Sequence, residues 1–122
     1  MLRGWLIAAG LLVASTAVAA AEPIRIEIES AQANFDQRTS ELVVAFKMTA
    51  ASQRLFAELT SKNVGRKAEI RVDGRALTAP VIREPILGGS GQISAGFKLD
   101  EAKELADRLS SGRAKMEIEA VD

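Results

Sequence analysis

Strict alternation of apolar and polar residues predicts β-strands in three stretches of the chain. IRIEIE at residues 24–29 places three isoleucines on one face and three charged residues on the other. KAEIRV at 67–72 and AKMEIEAV at 114–121 repeat this pattern. A period of two is typical of a strand that is buried on one face and solvated on the other. The charged positions are therefore predicted to form a solvated face with cross-strand charge pairs, with a dedicated charged binding face as the alternative.

Three further stretches alternate over most of their length. ELVVAFKM at 41–48, RALTAPVI at 75–82 and QISAGFKL at 92–99 are predicted strands. Asp73-Gly74 predicts a tight hairpin turn before the second of these, because both central positions of such a turn need positive φ. The predicted inward positions of the last two strands are Leu77, Ala79 and Val81, then Ile93, Ala95, Phe97 and Leu99. Polar residues 30–40 are predicted to be a connection.

Two stretches have the periodicity of amphipathic helices. In the first, residues 49–63, Thr49 is the predicted N-cap and Leu55, Phe56 and Leu59 form the apolar stripe. In the second, Asp100 is the predicted N-cap, Gly112 follows the helix at C′, and the stripe is Ala102, Leu105, Ala106 and Leu109. The predicted fold class is therefore α+β: a mainly antiparallel sheet with two helices packed on one face.

The first 21 residues differ from the rest. Arg3 precedes an apolar run, and Ala19-Ala20-Ala21 or Ala17-Val18-Ala19 forms a small-residue cleavage site. We predict a signal peptide at residues 1–21 and a single periplasmic domain at 22–122, with no membrane span after cleavage. The alternative is an uncleaved N-terminal helix that anchors the domain to the membrane.

Composition excludes several classes of function. Cysteine and histidine are absent, so disulfides, thiolate nucleophiles, catalytic triads with a histidine base and the usual zinc ligands are excluded. Arg3 is one of 16 basic residues and all 16 acidic residues follow residue 21, so residues 22–122 carry a net charge of −1. Near neutrality there is no field to attract nucleic acid. Four phenylalanines are predicted to lie in the core instead of forming base-stacking platforms: Phe35, Phe46, Phe56 and Phe97. No cofactor is predicted.

The stretch PVIREPILGGSGQIS at residues 80–94 invites a chemical interpretation that its residues do not support. The G-x-S-x-G turn of a serine nucleophile needs glycine two residues after the serine, and Gln92 occupies that position after Ser90. The phosphate-binding motifs G-x-x-x-x-G-K-[ST] and G-x-G-x-x-G are both incomplete in this stretch. Asp73 and Glu84 could act as general acids or bases only if the fold paired them. Pro80 and Pro85 have no N–H to donate to a neighbouring strand, so this stretch is expected to be a sheet edge or to leave the sheet. The glycines are expected to let the chain bend and take positive φ. We predict a proline-marked edge whose residues contact a partner: Pro80, Val81, Ile82, Pro85, Ile86, Gly88, Gly89 and Gly91.

The order of several short motifs resembles a known family. LVVAFKM, LTSKNVG, IRVDGRALTAPVIREPILGGSGQISAGF and an acid-capped helix ending in Ser-Gly follow one another through residues 42–112. This arrangement looks like the head subdomain of the first periplasmic domain of SecD, in the SecD/SecF protein-export family. No apolar run beyond residue 21 could cross a membrane, so the resemblance carries the fold and not a proton-driven motor.

The resemblance implies a non-enzymatic role. The family works with the Sec translocon, and its periplasmic head is thought to contact the emerging polypeptide. We therefore expect a binding or accessory module that contacts extended polypeptide or Sec components. The alternatives are a structural or regulatory domain whose partner is unrelated to export, and a hydrolase that uses Asp73 or Glu84.

Overall fold

The computed structural model describes residues 22–122, and the predicted signal peptide at 1–21 lies outside them. This part of the chain contains seven strands and two helices: β1 Ile24–Ile26, β2 Ile28–Phe35, β3 Leu42–Met48, α1 Ala50–Lys62, β4 Lys67–Val72, β5 Arg75–Thr78, β6 Ser90–Ile93, α2 Leu99–Ser110 and β7 Met116–Val121. Over residues 22–122, neither helix has the length and apolar character needed to span a membrane.

The strands form two antiparallel sheets. One has four strands in the order β1-β7-β4-β5, and the other has three in the order β2-β3-β6. The α+β class with antiparallel pairing and two helices is confirmed, although the strands are divided between two sheets. The chain therefore has to cross between the sheets four times, twice through a helix and twice without one.

A single apolar core lies between the inner faces of the two sheets and the two helices. The four-stranded sheet contributes Ile70, Met116 and Ile118, and the three-stranded sheet contributes Val44 and Ile93. The α2 stripe is buried as predicted: Ala102, Leu105, Ala106 and Leu109. In α1, Phe56 and Leu59 are buried, but Leu55 is exposed, which corrects the predicted stripe. Burial of this shared core is the main favourable contribution to folding, and no disulfide adds to it.

The first crossing divides the predicted strand at residues 24–29. β1 ends at Ile26 and β2 begins at Ile28 in the other sheet, so the prediction that 30–40 is only a connection was wrong for its first half. At Glu27 the N–H donates to the Ser52 hydroxyl at 2.8 Å, and the C=O accepts from the Thr49 N–H at 3.0 Å. These hydrogen bonds to α1 hold the chain at this crossing. The alternation of apolar and polar residues gives no information about them. Phe35, at the end of β2, is 66% exposed and is not part of the core.

Two other predicted strands are shorter than expected. RALTAPVI ends as a regular strand at Thr78, and beyond it Ala79 and Val81 are exposed while Ile82 is buried. QISAGFKL ends at Ile93, because Gly96 takes φ of +66° and turns the chain, which leaves Ala95 and Leu99 exposed. The second helix accordingly begins at Leu99. Its N-cap is Lys98, whose N–H donates to Glu101 at 2.9 Å, instead of Asp100.

The other turn and capping predictions, at Asp73-Gly74, Thr49 and Gly112, were confirmed. Asp73 and Gly74 both have positive φ, as the tight hairpin requires. Thr49 caps α1 through its hydroxyl, and Gly112 has a φ of +78° directly after the C-cap of α2. An outer charge pair also forms across strands, since Arg71 on β4 binds Glu119 on β7 at 2.7 Å, and Arg71 binds Glu69 on its own strand at 2.6 Å.

A core substitution tests whether the two sheets share one core. We expect Ile118→Ala to lower the free energy of unfolding by about 2–5 kcal/mol, because the fully buried side chain leaves a cavity. The measurement is urea unfolding with an unchanged slope. Phe35→Ala removes a larger but exposed side chain and should change stability by less than about 0.5 kcal/mol. Equal losses in the two variants would contradict the described core.

Candidate functional site

The segment that contains the candidate contact residues is residues 79–89, which connect β5 in one sheet to β6 in the other. Its first part continues alongside β4. The Ala68 N–H donates to the Pro80 C=O at 2.8 Å, and the Ile82 N–H donates to the Arg66 C=O at 2.7 Å. Val81 and Lys67 face each other between these bonds as a bridge. The segment is therefore an irregular edge of the four-stranded sheet, as the prolines predicted.

Val81 occupies the outward position of this edge. In an antiparallel pair, the residue flanked by the two bonds described above directs its own N–H and C=O away from the partner strand. Across residues 22–122, neither backbone group of Val81 makes a hydrogen bond. Its side chain is 46% exposed, whereas that of Ile82 is 2% exposed. Val81 thus presents both a donor and an acceptor to solvent, next to a residue that is fixed in the core.

Helix α1 holds the second part of the segment. The Thr60 hydroxyl accepts from the Ile86 N–H at 2.9 Å and donates to the Phe56 C=O at 2.9 Å, and Thr60 is fully buried. The Gln53 amide donates to the Leu87 C=O at 2.8 Å. Sequence reasoning missed both residues. The available signal was Thr60 itself, a hydroxyl next to Leu59 and four residues after Phe56 on the buried side of a helix.

The glycines serve close packing at two positions. A Cβ on Gly91 would lie 2.8 Å from Cζ of Phe46, and a Cβ on Gly89 would lie 2.8 Å from Oε1 of Gln53. Around Gly88 there is open space. Gly88, Gly89 and Gly91 all lie outside the positive-φ region, so that part of the sequence expectation was wrong. The chain approaches β3 and α1 more closely here than a side chain would allow.

Exposed apolar side chains concentrate around this segment. Of the seven large apolar residues that are exposed in residues 22–122, Val81, Ile86 and Leu87 lie in the segment. A fourth, Val64, directly precedes Gly65, whose N–H donates to the Ile82 C=O at 2.7 Å. We call these four residues the apolar rim. Such clustering is typical of interaction surfaces, unlike single scattered apolar residues.

The structure divides the eight predicted contact residues into two groups. Pro80, Val81, Pro85, Ile86 and Gly88 are exposed, so their surfaces are open to a partner. Ile82 is buried in the core, and Gly89 and Gly91 are half-buried against Gln53 and Phe46. These three residues shape the segment from beneath. Partner contact by the exposed group stays a prediction.

At two other positions, residues of the helix segments occupy outward-facing backbone groups. The outward N–H and C=O of Ala31 on β2 both bind the Ser110 hydroxyl of α2, at 2.9 and 2.8 Å. Both backbone groups of Glu27, between β1 and β2, bind the start of α1. Open edges are templates for pairing with another chain, and covering them prevents it. Val81 differs from these two residues, because its N–H and C=O remain available for pairing.

Asp73, a candidate catalytic acid, has a structural role. Its carboxylate accepts from the Lys115 N–H at 2.9 Å and from the Arg108 guanidinium, which ties the β4–β5 turn to α2 and to the start of β7. The backbone hydrogen bond from Lys115, followed by the hydrogen bond and charge of Arg108, lowers the pKa of Asp73. A lowered pKa leaves the group without a proton to donate near neutral pH. Glu84 lies on the exposed proline segment.

Comparison with known proteins is consistent with this arrangement. The sequence matches the family described as SecDF, P1 head subdomain, over residues 12–115. The chain belongs to this family. The resemblance predicted from residues 42–112 is therefore confirmed, and the proline-glycine segment lies within the matched range.

Individual relatives support the assignment and show its extent. Protein translocase subunit SecD of Acetobacter pasteurianus is 38% identical over 96 residues, which is 79% of this chain and 18% of that protein. The solved structure of SecDF described as a membrane component that enhances protein export has a TM-score of 0.67 and 34% identity, over 79% of this chain and 43% of that one. SecDF in a super-membrane-facing form has a TM-score of 0.66 and 37% identity, over 77% of this chain and 13% of that one. The chain thus spans less than a fifth of the SecD relative's length.

Two glycine substitutions test the packing of the segment. We expect Gly91→Ala to lower the free energy of unfolding by about 1–3 kcal/mol, because the new methyl group meets the buried Phe46 ring. Gly88→Ala is the matched control and should change stability by less than about 1 kcal/mol, since nothing lies near its Cβ. Urea unfolding gives both values. A Gly91→Ala protein as stable as Gly88→Ala would contradict the close approach.

Acid titration tests the Asp73 contacts. Because the pKa of Asp73 is lower in the folded chain than its ordinary 3.8, its contribution to stability is fully present above about pH 4 and is lost as pH falls through the folded value. Asp73→Asn keeps a residue that tolerates positive φ but removes the charge. The stability difference between wild type and Asp73→Asn should therefore be largest at neutral pH and shrink under acid. A difference that is constant with pH would show that the charge contributes nothing.

Proposed function

We propose that this domain is a non-enzymatic binding module of protein export that contacts extended polypeptide in the periplasm. Its relatives are named protein translocase subunit SecD, and one solved relative is described as enhancing protein export. The observation that carries the proposal is the outward backbone edge at Val81 beside the apolar rim. An extended chain supplies what this edge lacks, namely one acceptor for the N–H and one donor for the C=O.

The mode of binding that we propose is addition of a strand. Main-chain hydrogen bonds give affinity for any extended sequence, which suits a protein that must accept many different chains. The apolar rim adds contact area that depends little on the order of residues in the bound chain. Arg83 and Glu84, opposite charges at adjacent exposed positions, leave the segment without net charge that would select a charged ligand.

Titration of the ¹⁵N-labelled chain with a short unstructured peptide that alternates threonine and valine tests this mode. We expect amide shift changes at Val81 and at the neighbouring residues of the segment, with smaller changes at Ala31 and Glu27, whose backbone groups are already bonded. Shift changes confined to another edge would contradict the assignment of the site. No change at about 1 mM peptide would contradict polypeptide binding.

A proline substitution separates backbone pairing from side-chain contact. Val81→Pro removes the outward N–H without breaking a hydrogen bond inside the domain. We expect peptide affinity to fall about tenfold, which corresponds to about 1.4 kcal/mol for one lost hydrogen bond. Val81→Ala is the control, because it keeps the N–H while it shortens the side chain. Thermal unfolding of both variants verifies that they are folded, and equal peptide affinity in the two would contradict strand addition.

A direct partner from the Sec machinery is part of the same proposal. Crosslinking from intact cells through a photoreactive residue at Leu87, which is 63% exposed, should capture exported chains or Sec components. Capture of only proteins outside the export machinery would instead support the alternative of a structural or regulatory domain with an unrelated partner. Gly88 and Pro85 offer equivalent exposed positions for a second probe.

A further inference from the structure

An apolar cavity of about 150 Å³ lies beneath the proline-glycine segment. Its walls come from both sheets and α1, chiefly Phe46, Phe56, Ala68, Ile70, Ile86 and Ile118. Charged side chains are absent from the walls that residues 22–122 provide. Exposed residues at its rim, Pro80, Val81, Ser90 and Gln92, connect the cavity to the surface between the segment and β6.

The cavity lies on the side of the sheet to which a paired chain would direct every second side chain. Along β4, Ala68 and Ile70 point inward while Lys67 and Glu69 point outward. Val81 faces Lys67, so its side chain is on the outer face, and the side chain of Ile82 is on the inner one. Side chains alternate in the same way along any strand added at this edge. An inward side chain of the added strand would therefore approach the cavity past Pro80 and Ile86.

The volume and walls of the cavity define what it accepts. An apolar cavity of roughly this size holds a benzene-sized group, and its apolar walls offer water no polar partners. A leucine, methionine or phenylalanine side chain matches this volume and polarity. A carboxylate or ammonium group would lose its hydration without gaining an opposite charge.

We propose that this cavity is a socket for one medium-sized apolar side chain of the extended polypeptide. The proposal rests on the proposed function, because strand pairing at Val81 is what delivers the side chain to the socket. It adds a preference that backbone pairing alone does not have: segments that carry an exposed leucine or phenylalanine bind better than polar ones. Unfolded chains expose such residues and folded surfaces mostly bury them, so the socket discriminates in favour of unfolded chains.

A guest-residue series tests the socket. The host is an unstructured peptide of alternating threonine and serine, with leucine, phenylalanine, alanine or aspartate at one central position. We expect the leucine and phenylalanine peptides to bind about tenfold more tightly than the alanine peptide, from the apolar area that each buries. The aspartate peptide should bind no better than alanine. Isothermal titration with the folded chain gives each dissociation constant.

Filling the cavity provides the matched protein variant. Ala68→Leu places a larger apolar side chain in the cavity, whereas Ala45→Leu makes the same change on β3 away from it. Ala68→Leu should remove the advantage of the leucine peptide and leave the alanine peptide unchanged, and Ala45→Leu should alter neither. Benzene alone, followed by methyl shifts of Ile70 and Ile118, reports on the cavity without any peptide and guards against an Ala68→Leu protein that fails to fold.

The outcomes separate this inference from the proposed function. Equal affinity of all four peptides would overturn the socket and leave polypeptide binding intact. The absence of binding by every peptide would overturn the proposed function and, with it, the socket. Benzene shifts at Ile70 and Ile118 together with a guest preference that Ala68→Leu abolishes would support the socket. Failure of benzene to shift either methyl group would overturn it, because the cavity would then be closed to apolar groups.

Discussion

Hydrogen bonds from helix α1 hold both places where the chain passes between the two sheets without a helix. At the first crossing, Thr49 and Ser52 bind the backbone of Glu27. At the second, Gln53 and Thr60 bind the backbone of Leu87 and Ile86. A backbone that leaves a sheet loses its ladder partners, and unpaired polar groups near the core are costly. Three side chains of α1 (Ser52, Gln53 and Thr60) and the backbone N–H of its N-cap Thr49 meet this requirement at both crossings.

The same requirement distinguishes Val81 from Ala31 and Glu27. The Ser110 hydroxyl binds both backbone groups of Ala31, and the Ser52 hydroxyl and Thr49 N–H bind those of Glu27, so these two positions are closed to pairing. Val81 lies between two bonds to β4 that direct its own groups to solvent, and no helix reaches it. Val81 belongs to the apolar rim, and it also lines the mouth of the cavity. Proposed binding and proposed selectivity therefore both arise from one irregular segment, whose position is held by buried Thr60.

Much of the fold could be predicted because it depends on local chemistry. Alternation identified β3, β4 and β7, and turn and capping residues located the Asp73-Gly74 hairpin and the ends of both helices to within one or two residues. Errors occurred where tertiary contacts override the pattern. IRIEIE alternates throughout, yet it divides at Glu27, where both backbone groups bond to the start of α1 instead of to a strand. RALTAPVI alternates past Thr78, but Pro80 cannot donate to a ladder, and Ile82 replaces Val81 in the core.

The sequence by itself determined the family, the α+β class, the absence of histidine and cysteine chemistry, and the segment in which to look for a partner. Each of these follows from residue identity and spacing along the chain. Only the tertiary structure decided which residues of that segment are exposed, that Gly91 is required by the Phe46 ring, and that Gln53 and Thr60 hold the segment from 34 and 26 residues away. Those facts depend on contacts between distant parts of the chain, and periodicity carries information only about neighbours.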